Sequence, residues 1–238
     1  MNIGAWPVLV AASHGTSDPT GQRAIAALVM AVSDTLADIE VVGSFVDVQQ
    51  PDVPTSLASL DPDSPAVIVP LLLSAGYHVR VDLAEAAAGA VQEVLVTGAL
   101  GPDAHISGIL ATRLAEAGLA PDDHVVLAAA GSSDARAVED CRLVGRQLAQ
   151  RLGREVTVGF ISAAEPRLSD AVDSARRDHP GQRVVIASYL LAPGYFASLA
   201  HEAGADVVSA TLLTGEGEPP AALIQAVVDR YEATVAAM

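Results

Sequence analysis

The stretch VLVAASHGTSD, residues 8–18, returns as VVLAAAGSSD at residues 125–134. Each copy is an apolar run of strand length that breaks into small residues and ends on an Asp suited to cap a helix. Runs this apolar, without alternation, belong to strands covered on both faces, which is the habit of parallel sheets. The copies differ at one telling place. His14 stands in the first where Ala130 stands in the second, while Gly15, Ser17 and Asp18 recur as Gly131, Ser133 and Asp134.

Outward from the two loops, strand-like runs alternate with helical patterns. The first half reads as strands near 7–13, 40–47, 66–73 and 93–97, with helices near 18–37, 53–60, 78–91 and 104–117. The second half repeats the order, with strands near 125–129, 156–162, 184–191 and 206–211 and helices near 134–152, 166–178, 196–203 and 219–236. Two further blocks match across the halves. FVDVQQP (45–51) faces FISAAEP (160–166), and LLSAGYH (72–78) faces LLAPGYF (190–196). Strict alternation of strand and helix predicts an α/β fold with parallel sheets. The repeat divides it into two homologous domains, residues 1–118 and 119–238, each a sheet of about four strands flanked by helices. The turn-rich AGLAPDDH (117–124) joins them, and a pseudo-two-fold relation with a cleft between the halves is expected.

Composition narrows the function classes. The 238 residues are 51% hydrophobic, enough to fill the cores of two small domains. Acidic residues number 29 against 13 basic ones, a net charge of −16 with no Lys/Arg cluster, which argues against a nucleic-acid partner. A single cysteine, Cys141, rules out an internal disulfide and a Cys-rich metal site. No basic, apolar leader and no stretch long enough to span a membrane is read, so a cytoplasmic protein is expected.

Three polar residues of the first half end or follow successive strands: His14, Asp47 and His78. Their counterparts are Ala130, Ser162 and Phe196. The carboxyl ends of strands in open parallel sheets form the ligand crevice, so all three side chains are candidates for one site. Two imidazoles and a carboxylate suit a borderline divalent metal. So small a ligand set leaves coordination positions open, which suits a protein that must release its metal. A histidine after a strand is commonly a cap or a packing residue, but here two are lost together in the duplicated half. Gly15, Thr16 and Ser17, just before a helix, form either an anion-holding turn or an ordinary one. Asp82 lies four residues after His78, on the same helical face, and is a candidate to orient its ring. Arg80 is a candidate contact for an acidic substrate, with a solvent-facing role as the simpler reading. His105, His179 and His201 lack ligand spacing, and His124 reads as part of the linker.

VLVAASHGTSDPTG, FVDVQQP and VPLLLSAGYHVRVDL (69–83) resemble the class II chelatases, in particular the long, two-domain sirohydrochlorin chelatases of the CbiX/SirB type. The echo LLAPGYF fits the degenerate second half of that type. The resemblance spans nearly the whole chain. It implies a lyase that inserts Co²⁺ or Fe²⁺ into sirohydrochlorin, on the way to cobalamin or sirohaem, with the metal as substrate and no prosthetic group. By resemblance His14 and His78 are the catalytic, metal-handling histidines. Asp47 falls where the family commonly carries a glutamate, so its contact with metal is the less direct expectation. The substrate, a flat polycarboxylate, would meet the turn residues Gly15, Thr16, Ser17, Gly76 and Tyr77, and also Arg80 and Phe196, with Leu72 and Leu73 as apolar wall. An acidic protein that binds a polycarboxylate predicts a cleft that is locally basic or rich in backbone donors. Because two fused domains complete such a cleft, a monomer is expected. The competing readings are a metal or tetrapyrrole binder without turnover, and a protohaem ferrochelatase.

Overall fold

The computed structural model describes residues 6–74 and 76–238, with only the helical backbone described at residues 77–79. Two separate parallel sheets form. In the first, β1 (Val8–Ser13) lies between β2 (Val41–Phe45) and β3 (Ala66–Pro70), with β4 (Val94–Val96) on the far edge, giving the order β2-β1-β3-β4. The second has the same order, β6-β5-β7-β8, from β5 (His124–Ala129), β6 (Val156–Phe160), β7 (Val184–Tyr189) and β8 (Val207–Val208). The central strands β1, β3, β5 and β7 are buried along their whole length, as their unbroken apolar runs require.

Helices follow every strand: α1 (Pro19–Thr35), α2 (Val53–Ser59), α3 (Tyr77–Gly89) and α4 (Ala104–Glu116) in the first half. The second half has α5 (Ala135–Leu152), α6 (Leu168–Asp178), α7 (Tyr195–His201) and α8 (Ala221–Val235). The repeated Asp does cap both long helices. Asp18 accepts from the N–H groups of Thr20 (2.7 Å) and Gly21 (3.0 Å), and Asp134 accepts from that of Arg136 (3.0 Å). Two expected strands are shorter than their apolar runs. The chain leaves the first sheet at Pro70, freeing Leu71–Leu73 to line a cleft, and only Val207 and Val208 pair with β7.

Alternate residues of each central strand enter different cores. Val8, Val10 and Ala12 pack under α2 and α3, whereas Val126 and Ala128 pack with α6 residues such as Leu168 and Val172. Leu9 and Ala11 of the first sheet and Val125 and Leu127 of the second join one shared core. The halves also exchange helices. Helix α4 of the first half packs against β7 and α5, and α8 of the second half packs against β3 and α1. Arg230 on α8 donates to the carbonyls of Ala99 (3.0 Å) and Leu100 (3.2 Å), while Arg113 on α4 donates to that of Leu212 (2.9 Å). Among the described residues no helix is long and apolar enough to cross a membrane.

Candidate functional site

Both halves build the same loop after their first strand. Gly15 and Gly131 adopt φ of +93° and +91°, which L side chains rarely adopt. A Cβ at either glycine would strike a carbonyl oxygen, that of Asp47 or that of Ser162. The loops after β2 and β6 are held by matching backbone bonds. Asp47 N–H donates to His14 O (3.0 Å) and Ser162 N–H to Ala130 O (2.9 Å). The left-handed conformations of Val48 and Ala163 also match. The repeat has therefore kept its backbone scaffold and changed the side chains upon it.

The halves meet through these loops. Thr16 Oγ1 lies 3.0 Å from the Cβ position of Gly194, and Ser132 Oγ lies 3.1 Å from that of Gly76. Thr16 aligns with Ser132 and Gly76 with Gly194, so the two contacts are one contact made twice, as a two-fold relation demands. Between them opens a cleft of about 400 Å³, lined from the first half by Ser13–Ser17, Val48 and Leu71–Ser74, and from the second by Ala130, Tyr189 and Leu190–Ala197. Its floor is closed by Tyr189, whose hydroxyl donates to Leu73 O (3.0 Å) across the halves. Cys141 also reaches the cleft. Burial pushes its thiol up to about 11, so it is a protonated, inert group at neutral pH.

His14 sits at the mouth of this cleft, exposed, at the carboxyl end of β1. Gly15, Thr16 and Ser17 line the cleft beside it, and Phe196, with Tyr195 edge-on to it at 5.9 Å, lines the opposite wall. The Thr16 N–H is not free for an anion, because it donates to Gln49 Oε1 (2.9 Å). Asp47 is joined to His14 through the backbone. Its own side chain is exposed and accepts from the N–H of Val48 (2.7 Å). His78 and Tyr77 occupy the first turn of α3, after the N-cap Gly76, and their side chains lie outside the described residues. Asp82 is exposed and lines a groove with α2 residues such as Leu57. Arg80 lines a separate crevice with Arg136 and Glu139, its guanidinium 3.9 Å from Asp134 Oδ2. Among the described residues no three His, Cys, Asp or Glu gather to hold a metal.

Of the two characters expected of the cleft, locally basic or rich in backbone donors, the described lining does not supply the first. Among the described residues lining it there is neither Arg nor Lys, but there is also no Asp or Glu, so the net charge of −16 is kept off its walls. His124 also differs from expectation. It is not in a linker but begins β5, 6% exposed, with its ring stacked on that of His179 at 4.2 Å. Two residues missed in the sequence are Gln22 and Gln49, which bond the two sides of Thr16: Gln22 Nε2 donates to Thr16 O (2.8 Å). Both are absent from the second half, where Val138 and Ala164 align with them, and that contrast was readable beside His14/Ala130.

Comparison with curated proteins finds no match. Among solved structures, SirB from Bacillus subtilis with Fe³⁺ shares the fold at a TM-score of 0.79 and 20% identity, over 97% of this chain and 96% of that one. CbiX, described as the terminal enzyme for biosynthesis of siroheme in denitrifying bacteria, matches at 0.65 and 22% over 97% and 99%. The multi-domain DR2241 from Deinococcus radiodurans, described as structurally similar to chelatases, matches at 0.67 and 22% over 96% of this chain and 55% of that one. The CbiX family model matches residues 8–117 and 124–203, one stretch in each half and each holding one copy of the repeated loop, so the chain belongs to the CbiX family of class II chelatases.

Proposed function

We propose that this protein is a sirohydrochlorin chelatase that inserts Co²⁺ or Fe²⁺ into the metal-free macrocycle, working as a monomer in the cytoplasm and needing no prosthetic group. The observation that carries the reading is the asymmetry of the cleft: two homologous walls, largely apolar and without Asp, Glu, Lys or Arg among their described residues, with an imidazole on one and Ala130 at the matching place on the other. A flat ring can lie between Leu72, Leu73 and Phe196 with its carboxylates directed to water at the rim. The absence of Asp and Glu from the described lining spares those carboxylates close repulsion.

Insertion breaks two pyrrole N–H bonds, releases two protons and binds the ion to the four ring nitrogens. A neutral imidazole can hold the incoming ion through a ring nitrogen, or take a proton from the ring, near neutral pH. His14 and His78 fill these roles in the proposal, with Asp47 as an acidic neighbour that attracts the cation and Asp82 as the group that orients His78. Gly76 and Tyr77 bring the turn before α3 to the ring. Arg80 would take a substrate carboxylate only by leaving Asp134. The siroheme role stated for one neighbour and the iron in another favour Fe²⁺, while the ligand chemistry suits Co²⁺ as well.

The test is anaerobic insertion of each ion into sirohydrochlorin, followed by absorbance, with protoporphyrin as the competing ring. Faster insertion than the protein-free rate, lost in His14→Ala, supports the assignment. Tight ring binding without acceleration would make the protein a binder. Preference for protoporphyrin would make it a ferrochelatase of the protohaem kind.

A further inference from the structure

The loop that carries His14 is held by a device its duplicate does not have. Thr16, two residues after His14, is bonded on both faces by side-chain amides from different elements: its N–H donates to Gln49 Oε1 (2.9 Å), and its carbonyl accepts from Gln22 Nε2 (2.8 Å). Gln22 comes from α1 and Gln49 from the loop after β2. The second half is an internal control. There Val138 and Ala164 occupy the two places, with no group able to donate or accept, yet the turn forms with the same glycine φ and the same Ser/Thr turn. Asp134 N–H donates to Ser132 Oγ at 3.0 Å as Asp18 N–H does to Thr16 Oγ1 at 3.1 Å. The clamp is not needed to make the turn. It occurs in the half that has an imidazole to place.

We propose that Gln22 and Gln49 are positioning residues that fix the two peptide groups flanking Thr16 and thereby set the His14 ring at the mouth of the cleft. Groups that meet a reacting atom must be held within about 0.5 Å of productive geometry, and an exposed ring on an unsupported loop is not. The inference rests on the proposed role of His14, but its physical content, a clamped loop, can be measured apart from that role. The two bonds run in opposite directions, so one substitution discriminates them. Glutamate at 49 keeps an acceptor for the Thr16 N–H. Glutamate at 22 sets an acceptor against the Thr16 carbonyl.

The experiment compares Gln49→Met, Gln49→Glu, Gln22→Met and Gln22→Glu in the full chain. Three readouts are followed: insertion kinetics, amide exchange at Thr16 and the Cε1–H resonance of His14. Gln49→Met, Gln22→Met and Gln22→Glu should lower kcat about tenfold with little change in KM for the macrocycle, as expected when an orienting contact rather than a binding contact is lost. Gln49→Glu should recover most of that loss. Thr16 exchange should rise in Gln49→Met and return in Gln49→Glu, and the His14 resonance should shift or broaden in each impaired variant. If the two glutamate variants behave alike, or both methionine variants keep native kcat, the inference is overturned. If the wild type inserts no metal, the proposed function fails. The inference is then decided by exchange and resonance alone, and an unchanged His14 signal in both methionine variants overturns it.

Discussion

At the scale of single residues, the two kinds of histidine make opposite predictions. His14, exposed at the cleft mouth, is expected to matter for rate and little for stability. His14→Ala and His78→Ala should each slow insertion at least ~100-fold while ring binding, followed by fluorescence, largely survives. His124 is the reverse. Burial, and after it the nearby His179, hold its pKa below the ordinary 6.5, partly opposed by Glu155 and Asp178. The folded protein therefore binds this proton less well than the unfolded chain. Its stabilising contribution is complete above pH ~6.5 and is lost as the pH falls through that value toward the lower folded one. Melting temperature should drop between pH 7.5 and 5.5, and His124→Gln should flatten the slope. An unchanged slope would mean other groups set the acid limit. His14 was legible in the sequence because its loop is written twice and can be compared with itself. The burial of His124 was not, since a turn-rich PDD segment precedes it and only the β5 pairing shows that it begins a strand.

At the scale of elements, Gly21 sets two principles against each other. It lies in α1, where alanine in place of glycine ordinarily favours the helix by ~0.5–1 kcal/mol. Here a Cβ would drive into the carbonyl oxygen of Pro193, a backbone atom of the opposite half, with Thr16 Cγ2 also only 3.0 Å away. Neither obstacle is the end of a long flexible chain. Gly21→Ala should therefore destabilise, by ~1–3 kcal/mol as overpacking usually does, and should raise KM for the macrocycle by moving the Pro193 wall of the cleft. A rise in melting temperature would show that helix propensity wins and that the contact between the halves yields. The helical pattern of α1 could be read from its sequence, but the reason for glycine at 21 could not, because the atom that forbids a side chain is 172 residues away in the chain.

At the scale of the whole molecule, the exchange of α4 and α8 ties the halves into one cooperative unit. Tyr231 on α8 is 1% exposed and its hydroxyl donates to Pro7 O (2.5 Å), at the start of the first sheet. With Leu223 and Val227 it covers first-half core from the far end of the chain. Burying one such side chain is worth ~1.5–3 kcal/mol, so three together approach the ~5–15 kcal/mol that holds a typical domain. Three outcomes follow. The full chain should unfold in a single transition by both calorimetry and circular dichroism. Residues 1–118 expressed alone, without α8, should show no cooperative melt. Tyr231→Phe, which removes only the hydroxyl, should cost ~1 kcal/mol and ~2–4 °C. Two resolved transitions in the full chain would mean the halves are independent domains joined by a linker.

The sequence by itself determined the α/β class, nearly every element and the repeat, because apolar periodicity and caps are local properties and duplication can be read by comparing the chain with itself. It also singled out His14, Asp47 and His78, by the same comparison. Only the tertiary structure decided that α4 and α8 change partners, that the Asp47 side chain turns to Val48 N–H, that Arg80 faces Asp134 across the halves, and that the cleft walls carry no charge among their described residues. The Asp47 contact is local, but it depends on the left-handed turn at Val48, which no apolar period announces. The other outcomes are set by which surfaces meet when two sheets pack, and contacts between residues far apart in the chain leave no period in the sequence of either.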